Sequence, residues 1–274
     1  MTTSIDTLHA IERAYDQFPR AGGAPVETLG AFEIFGVGRG GWPHYARPRI
    51  GTTTVDVMNV DAVRARQREL GLPEAFEWVH ETTPALFDAV GASGLRVARV
   101  PLMVCASPTT PQPPQDARVR LLDPDDADFA RDFATQSAVA ELGFANLGTA
   151  TGPIGPAERD AAATPVPDAL LAFVRDAARA GFFRHAVAET ADGIVATGAV
   201  QIAPTGAEVV GVATLPSARR RGLGAAVSDL LARHARDRGS GLVFLAAESD
   251  AVARVYERCG FTRVATACIA ENPT

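Results

Sequence analysis

No lysine occurs among the 274 residues, and all 26 basic side chains are arginine. That absence excludes lysine Schiff-base chemistry and a Walker-type phosphate lysine. Cysteine is scarce. Cys105, Cys259 and Cys268 form no C-x-x-C pair, so neither a disulfide framework nor a thiolate zinc cluster is encoded. The five histidines (His9, His44, His80, His185 and His234) show no ligand spacing, and no metal is expected. No apolar run reaches the roughly 20 residues that span a bilayer. The first residues, MTTSIDTLHAIERAYDQF, are amphipathic and carry acids, unlike a signal peptide. A formal net charge of -6 and a pI of about 5.4 leave no electrostatic case for nucleic acid or an anionic membrane. The expectation is a cytoplasmic protein with neither partner.

What is present suits a folded chain: 47% of residues are hydrophobic and 21% charged, and the mean hydropathy is +0.05. The length predicts one large domain or two ordinary ones. The stretch 106–116, ASPTTPQPPQD, carries four prolines in eleven residues and reads as an extended linker. It separates a first unit, residues 1–105, from a second, residues 117–274. In the first unit the spacing predicts helices over 5–18, 57–70 and 84–93 and strands over 32–38, 76–81 and 95–105. In the second, VRLL (119–122) reads as a strand. Asp123-Pro124-Asp125-Asp126 then offers an N-cap, a proline at the first helical position and acids for the helix dipole, with the helix ending near Gly143. Residues 144–166 hold no periodicity and form a long loop. A helix over 168–180 and strands over 185–189, 194–203 and 208–215 follow.

The stretch EVVGVATLPSARRRGLGAAVSDLLARHARDRG, residues 208–239, carries the chemistry. A β-rich run meets Pro216, then an arginine-rich turn, then Gly222-Leu223-Gly224 opening a helix. Leu223, Ala226, Val227, Leu230, Leu231 and Ala235 recur at three- and four-residue steps as one buried stripe. The start of such a helix leaves free N–H groups and a partial positive charge. Glycine at 222 and 224 removes the Cβ atoms that would hold a ligand away, and Arg219, Arg220 and Arg221 add charge. Elsewhere an arginine triplet is a solvated turn; before G-x-G and a helix it reads as a pyrophosphate site.

Arg219-x-x-Gly222-x-Gly224 after a strand resembles the acyl-CoA signature Q/R-x-x-G-x-G/A of the GCN5-related N-acetyltransferase (GNAT) superfamily. LVFLAAE (242–248) resembles the next strand, and ESDAVARVYERCGF (248–261) resembles the family helix ending in Y-x-x-x-G-F. The resemblance covers the whole second unit. It implies an α/β (α+β) fold, with a mixed, mostly antiparallel central sheet flanked by helices and a second, smaller α/β domain at the amino-terminal end. It also implies acetyl-CoA as co-substrate and no metal. Val212, Ala213 and Thr214 would sit on a strand that splays from its neighbour and pairs with pantetheine. The N–H groups of residues 220–225, among them Leu223 and Ala225, would hold the pyrophosphate. Asp250 stands where many members carry an asparagine that contacts pantetheine; its other reading is a helix cap. Tyr256 would protonate the departing thiolate. Glu208 matches the catalytic glutamate of the histone acetyltransferase branch. Its even separation from Val212 and Thr214 predicts a shared face, and a water-mediated base is the alternative.

Blander readings stand beside these. Tyr256 shares a stripe with Val252, Val255 and Cys259 and would also suit a core; Cys259 and Cys268 read as packing and His234 as a half-exposed structural histidine. GVGRGG (36–41) is superficially similar to a dinucleotide fingerprint, but Trp42-Pro43-His44-Tyr45 cannot open a helix after it. Trp42, His44, Tyr45, Arg47 and Arg49 read as a packed loop or an acceptor-pocket wall. The element order of 57–105 parallels that of 222–270, so the first unit reads as a degenerate, shortened copy of the same fold or as an unrelated cap. The resulting expectation is an acetyl-CoA-dependent N-acetyltransferase acting on a small-molecule or peptide amine by direct attack, with room for a homodimer. A catalytically silent acyl-CoA sensor and a transferase for longer acyl groups are the other classes.

Overall fold

The computed structural model describes residues 4–106 and 114–273, so the central part of the Pro-rich linker, residues 107–113, lies outside the described residues. Chain order begins α1 (Ile5–Ala21), β1 (Val26–Leu29), β2 (Phe32–Phe35), β3 (Arg47–Pro48), α2 (Val57–Glu69), β4 (Phe76–Val79), α3 (Ala85–Ala92) and β5 (Arg96–Cys105). It continues with β6 (Arg118–Leu121), α4 (Phe129–Ala145), α5 (Pro156–Ala162), α6 (Asp168–Ala180), β7 (Phe183–Thr190), β8 (Gly193–Ala203) and β9 (Gly206–Thr214). A 3-10 turn, Pro216–Ala218, leads into α7 (Leu223–Asp237), β10 (Val243–Ala246), α8 (Asp250–Glu257) and β11 (Phe261–Glu271).

Two units emerge. One holds residues 1–102, 203–205 and 264–274; the other holds 103–202 and 206–263. The sequence orders α2-β4-α3-β5 and α7-β10-α8-β11 run in parallel, yet neither unit is one continuous stretch. From residue 264 onward β11 counts with the first unit, where it pairs antiparallel with β4, Cys268 opposite Trp78. From residue 103 β5 counts with the second.

In the first unit, α1 buries Leu8, Ile11, Tyr15 and Phe18, the i, i+3, i+4 pattern of an amphipathic helix. The core gathers Phe32, Ile34, Val60, Val63, Phe76, Trp78, Leu86 and Val90. β1, β2 and β3 form a separate small sheet. Arg47, expected in a loop, is instead in β3, where it is buried against the Tyr15 ring, 4.1 Å from its centroid, and paired with Glu77.

In the second unit the strand order is β5-β10-β9-β8-β7-β6. β6 pairs antiparallel with β7 and β7 with β8, whereas β10 runs parallel to β9. Leu223, Val227, Leu231 and Ala235 of α7 are buried in its core together with Val187, Val195, Val209 and Leu245. α4 begins at Phe129, five residues later than the proline predicts. The Asp123 and Asp126 side chains instead accept from the N–H groups two residues on, at 3.0 and 2.9 Å, and hold residues 123–128 in turns. The loop expected over 144–166 contains α5, opened by Pro156 with Glu158 accepting from Gly155 N–H at 2.7 Å.

Candidate functional site

The parallel ladder between β9 and β10 is short: Val243 lies opposite Ala207 and Phe244 opposite Glu208, and the register ends there. Beyond that point a cavity of about 570 Å³ opens in the second unit. One wall is the end of β9 with the start of α7, from Val212 to Ala225. A second is α8 with Glu248. The third is the segment leaving α4, with Gly143, Phe144, Gly148 and Thr149.

The turn into α7 passes twice through the left-handed region, once at a glycine and once at an arginine, where a side chain makes that conformation rare. Arg220 takes φ +63° and Gly222 φ +79°, the left-handed region, and Gly222 is an N-cap with no side-chain hydrogen bond to the helix. The first N–H groups of α7 therefore have no partner inside the helix and border the cavity at Leu223, Gly224 and Ala225. This is the electrostatic arrangement that receives an anion.

The three arginines of the turn take different tasks. Arg219 donates to the carbonyls of Thr214 at 3.2 Å, Ala150 at 3.1 Å and Gly143 at 3.1 Å, and also to that of Asn146. Its guanidinium ties the segment leaving α4 to the end of β9, and desolvation pushes its pKa down. Arg221 turns to Asp116, 2.6 Å away, and does not line the cavity. Arg220 lines it and is exposed. Arg219→Lys is expected to cost about 1–2 kcal/mol of stability, because an ammonium cannot reach carbonyls spread from residue 143 to 214. Thermal unfolding checks this, and an unchanged melting temperature would mean the clamp adds nothing.

Tyr256 lines the cavity at 8% exposure, edge-to-face with Phe261 at 6.0 Å. Burial first, then Cys259 and Glu248, hold its phenol protonated well above the ordinary tyrosine range. Val212, Ala213 and Thr214 also line the cavity, whereas Asp250 does not. Asp250 is paired with Arg263 at 3.1 Å, and the cap of α8 is Ser249, whose hydroxyl accepts from Val252 N–H at 3.4 Å. The helix cap expected at Asp250 is thus one residue earlier, because only the Ncap side chain reaches back to the first turn.

Glu208 is buried and accepts from Gln201 Nε2 at 2.7 Å, but is not in the cavity lining. The face shared with Val212 and Thr214 that even spacing predicts is not formed. Gly211 takes φ +63° inside β9 and breaks the alternation. The neighbours fix the two sides. A Cβ on Gly198 of β8 would meet Val212, Val227 and Leu231 at 3.0–3.1 Å, on the α7 side. Thr197 beside it donates to Gln136 of α4 at 2.7 Å. Gln201 has the parity of Thr197 in a regular stretch of β8, so Glu208 lies on the α4 side.

Three residues that border the cavity carried no signal of their own in sequence: Glu248, Arg254 and Arg258. His185, a base by type, sits between Phe133 and Phe183 at 5.0 and 4.9 Å, and burial pushes it down to about 4. Among the described residues no group of three or more His, Cys, Asp or Glu side chains could hold a metal ion, and no helix is long and apolar enough to cross a membrane.

Residues 154–261 match the acetyltransferase (GNAT) family. The fold matches a GCN5-related N-acetyltransferase from Kribbella flavida with a TM-score of 0.68 at 22% identity, over 97% of this chain and 96% of that one. A GCN5-related N-acetyltransferase from Sphaerobacter thermophilus matches with a TM-score of 0.54 at 16% identity, over 98% and 93%. A GCN5-related N-acetyltransferase-like protein from Streptococcus suis matches with 0.54 at 11%, over 97% and 98%. At such identities the likeness speaks for the fold. No curated protein matches the chain in sequence.

Proposed function

We propose, from the match of residues 154–261 to the acetyltransferase (GNAT) family, that the chain transfers an acetyl group from acetyl-CoA to a primary amine by direct attack. One observation carries the reading. The uncapped start of α7, the end of β9 beyond its ladder with β10, and buried Tyr256 border one cavity. A coenzyme with an anionic middle and a thiol end has a complement for each part.

The fit is chemical as well as spatial. The N–H groups at Leu223, Gly224 and Ala225, with Arg220, would hold the pyrophosphate. Backbone groups of Val212–Thr214 beyond the ladder's end would pair with the amides of pantetheine. In the reaction the neutral amine nitrogen bonds to the thioester carbonyl carbon, the carbon–sulfur bond breaks, and an amide and a thiol result. Tyr256 gives its proton to the leaving sulfur. The amine's proton goes to Glu208, directly or through water.

Gly224 provides the test. A Cβ there would sit 3.4 Å from Thr214 Oγ1, an ordinary contact, and its backbone is not left-handed, whereas a side chain on Gly222 would strain φ. Gly224→Ala is therefore expected to fold. Gly224→Glu adds a negative charge at the helix start and should weaken acetyl-CoA binding at least tenfold. Isothermal titration measures both. No binding by the wild-type chain would sink the reading.

A further inference from the structure

A second cavity, of about 40 Å³, lies within the first unit and has no part in the chemistry above. It offers room for a few waters or for one ammonium head group. α1 borders it with His9 and Glu12, the turn after β3 with residues 49–53, and the segment before α3 with Thr82 and Thr83. Glu12 stands out, a carboxylate only 8% exposed. Its Oε1 accepts from Val79 N–H at 2.9 Å and from the Thr82 hydroxyl at 2.7 Å. Its Oε2 has no donor among the described residues and is not sealed from solvent, so it opens on the cavity that Glu12 borders. One oxygen thus secures the end of β4 and the other is left over. A buried carboxylate oxygen without a donor is costly, and burial pushes the Glu12 pKa up. The neighbouring cations are turned elsewhere: Arg47 is paired with Glu77, and Arg49 lies 3.8 Å from Glu33. His9, one turn before Glu12, has no hydrogen bond or ion pair among the described residues.

We propose that this cavity binds the primary ammonium group of a small molecule, with Glu12 Oε2 as its anionic acceptor and the His9 imidazole as a second acceptor. An ammonium brings three N–H donors and one positive charge. A carboxylate set in a poorly solvated cavity holds such a group more strongly than water-exposed carboxylates do. A fully substituted ammonium has no N–H to give and is too bulky for the space. The site does not depend on the acetyl-transfer reading.

The experiment titrates methylammonium chloride into the isotope-labelled full chain and follows backbone amide shifts by NMR. Tetramethylammonium chloride and sodium chloride at equal concentration are the controls. Saturable shifts centred on Val79 and the residues bordering the cavity are expected, with a Kd of about 10 mM, near the limit for a ligand of two heavy atoms. The controls should give no saturable shifts there. Glu12→Gln keeps a carbonyl oxygen for Val79 N–H and puts an amide nitrogen in place of the free oxygen, so it should weaken methylammonium at least tenfold. His9→Arg lets a tethered guanidinium fill the cavity; it should abolish the shifts, and it decides the matter if Glu12→Gln does not fold. Equal shifts from all three salts, or no saturable shift with methylammonium, would overturn the site. So would methylammonium binding that a folded variant leaves unchanged.

Discussion

Replacing Tyr256 by phenylalanine is expected to lower kcat by ~10²-fold or more while leaving acetyl-CoA affinity nearly unchanged, the pattern of a lost general acid. The phenol is buried, it borders the cavity, and its ring packs edge-to-face on Phe261. Phenylalanine retains that packing and removes one hydroxyl, so the fold should be preserved. The protonation state has a definite sign. Burial, then Cys259 and Glu248, raise the phenol's pKa above its ordinary value, so the acid form persists as pH rises and the wild type should show no falling limb from Tyr256 below about pH 10. Steady-state kinetics from pH 6 to 10, with an amine found by screening, check both statements. Unchanged turnover in the variant would return Tyr256 to the role of a core residue, which its position on the apolar stripe of α8 equally allows.

The part of the site legible in sequence was the part written in contiguous residues. A strand, a turn of arginines, two glycines and an amphipathic helix are local signals, and residues 208–239 contain all of them in order. Their conformations follow from residue type: Gly222 adopts a positive φ because glycine can. What local pattern misses is where neighbouring side chains turn. Arg219, Arg220 and Arg221 are identical in sequence, yet one is a clamp on four carbonyls, one faces the cavity and one pairs with Asp116. Only the tertiary setting separates them.

Two other misreadings have physical causes. Period-2 counting assumes an unbroken pleat, and Gly211 breaks it, which carries Glu208 to the side opposite Val212. Element order along 57–105 and 222–270 was readable, but the pairing of β11 with β4 joins residues about 190 positions apart, and no window of sequence encodes such a partner. The same limit hid Arg254 and Arg258. Their four-residue spacing was visible, but the cavity beside them exists only once β9 and β10 diverge.

That divergence leads to the second large effect: Glu208→Gln is expected to lower kcat/KM by roughly 10²- to 10³-fold at neutral pH, the range of general base catalysis. Glu208 occupies the last paired position of the β9–β10 ladder, opposite Phe244, where the strands begin to part. Its side chain lies toward α4, away from Val212 and the α7 side. A base there would take the amine's proton from the α4 side while the coenzyme occupies the cavity, so one group need not clash with the other. Because Glu208 is not in the cavity lining, a bridging water is the shorter route for that proton. Glutamine is the informative replacement, since its carbonyl oxygen can still accept from Gln201 Nε2, which Glu208 now holds at 2.7 Å. Without a base only the neutral amine reacts, so the residual rate should rise about tenfold per pH unit below the amine's own pKa. Kinetics as a function of pH decide the matter. If Glu208→Gln left kcat/KM unchanged at every pH, the amine would be arriving already deprotonated and Glu208 would have a structural role only.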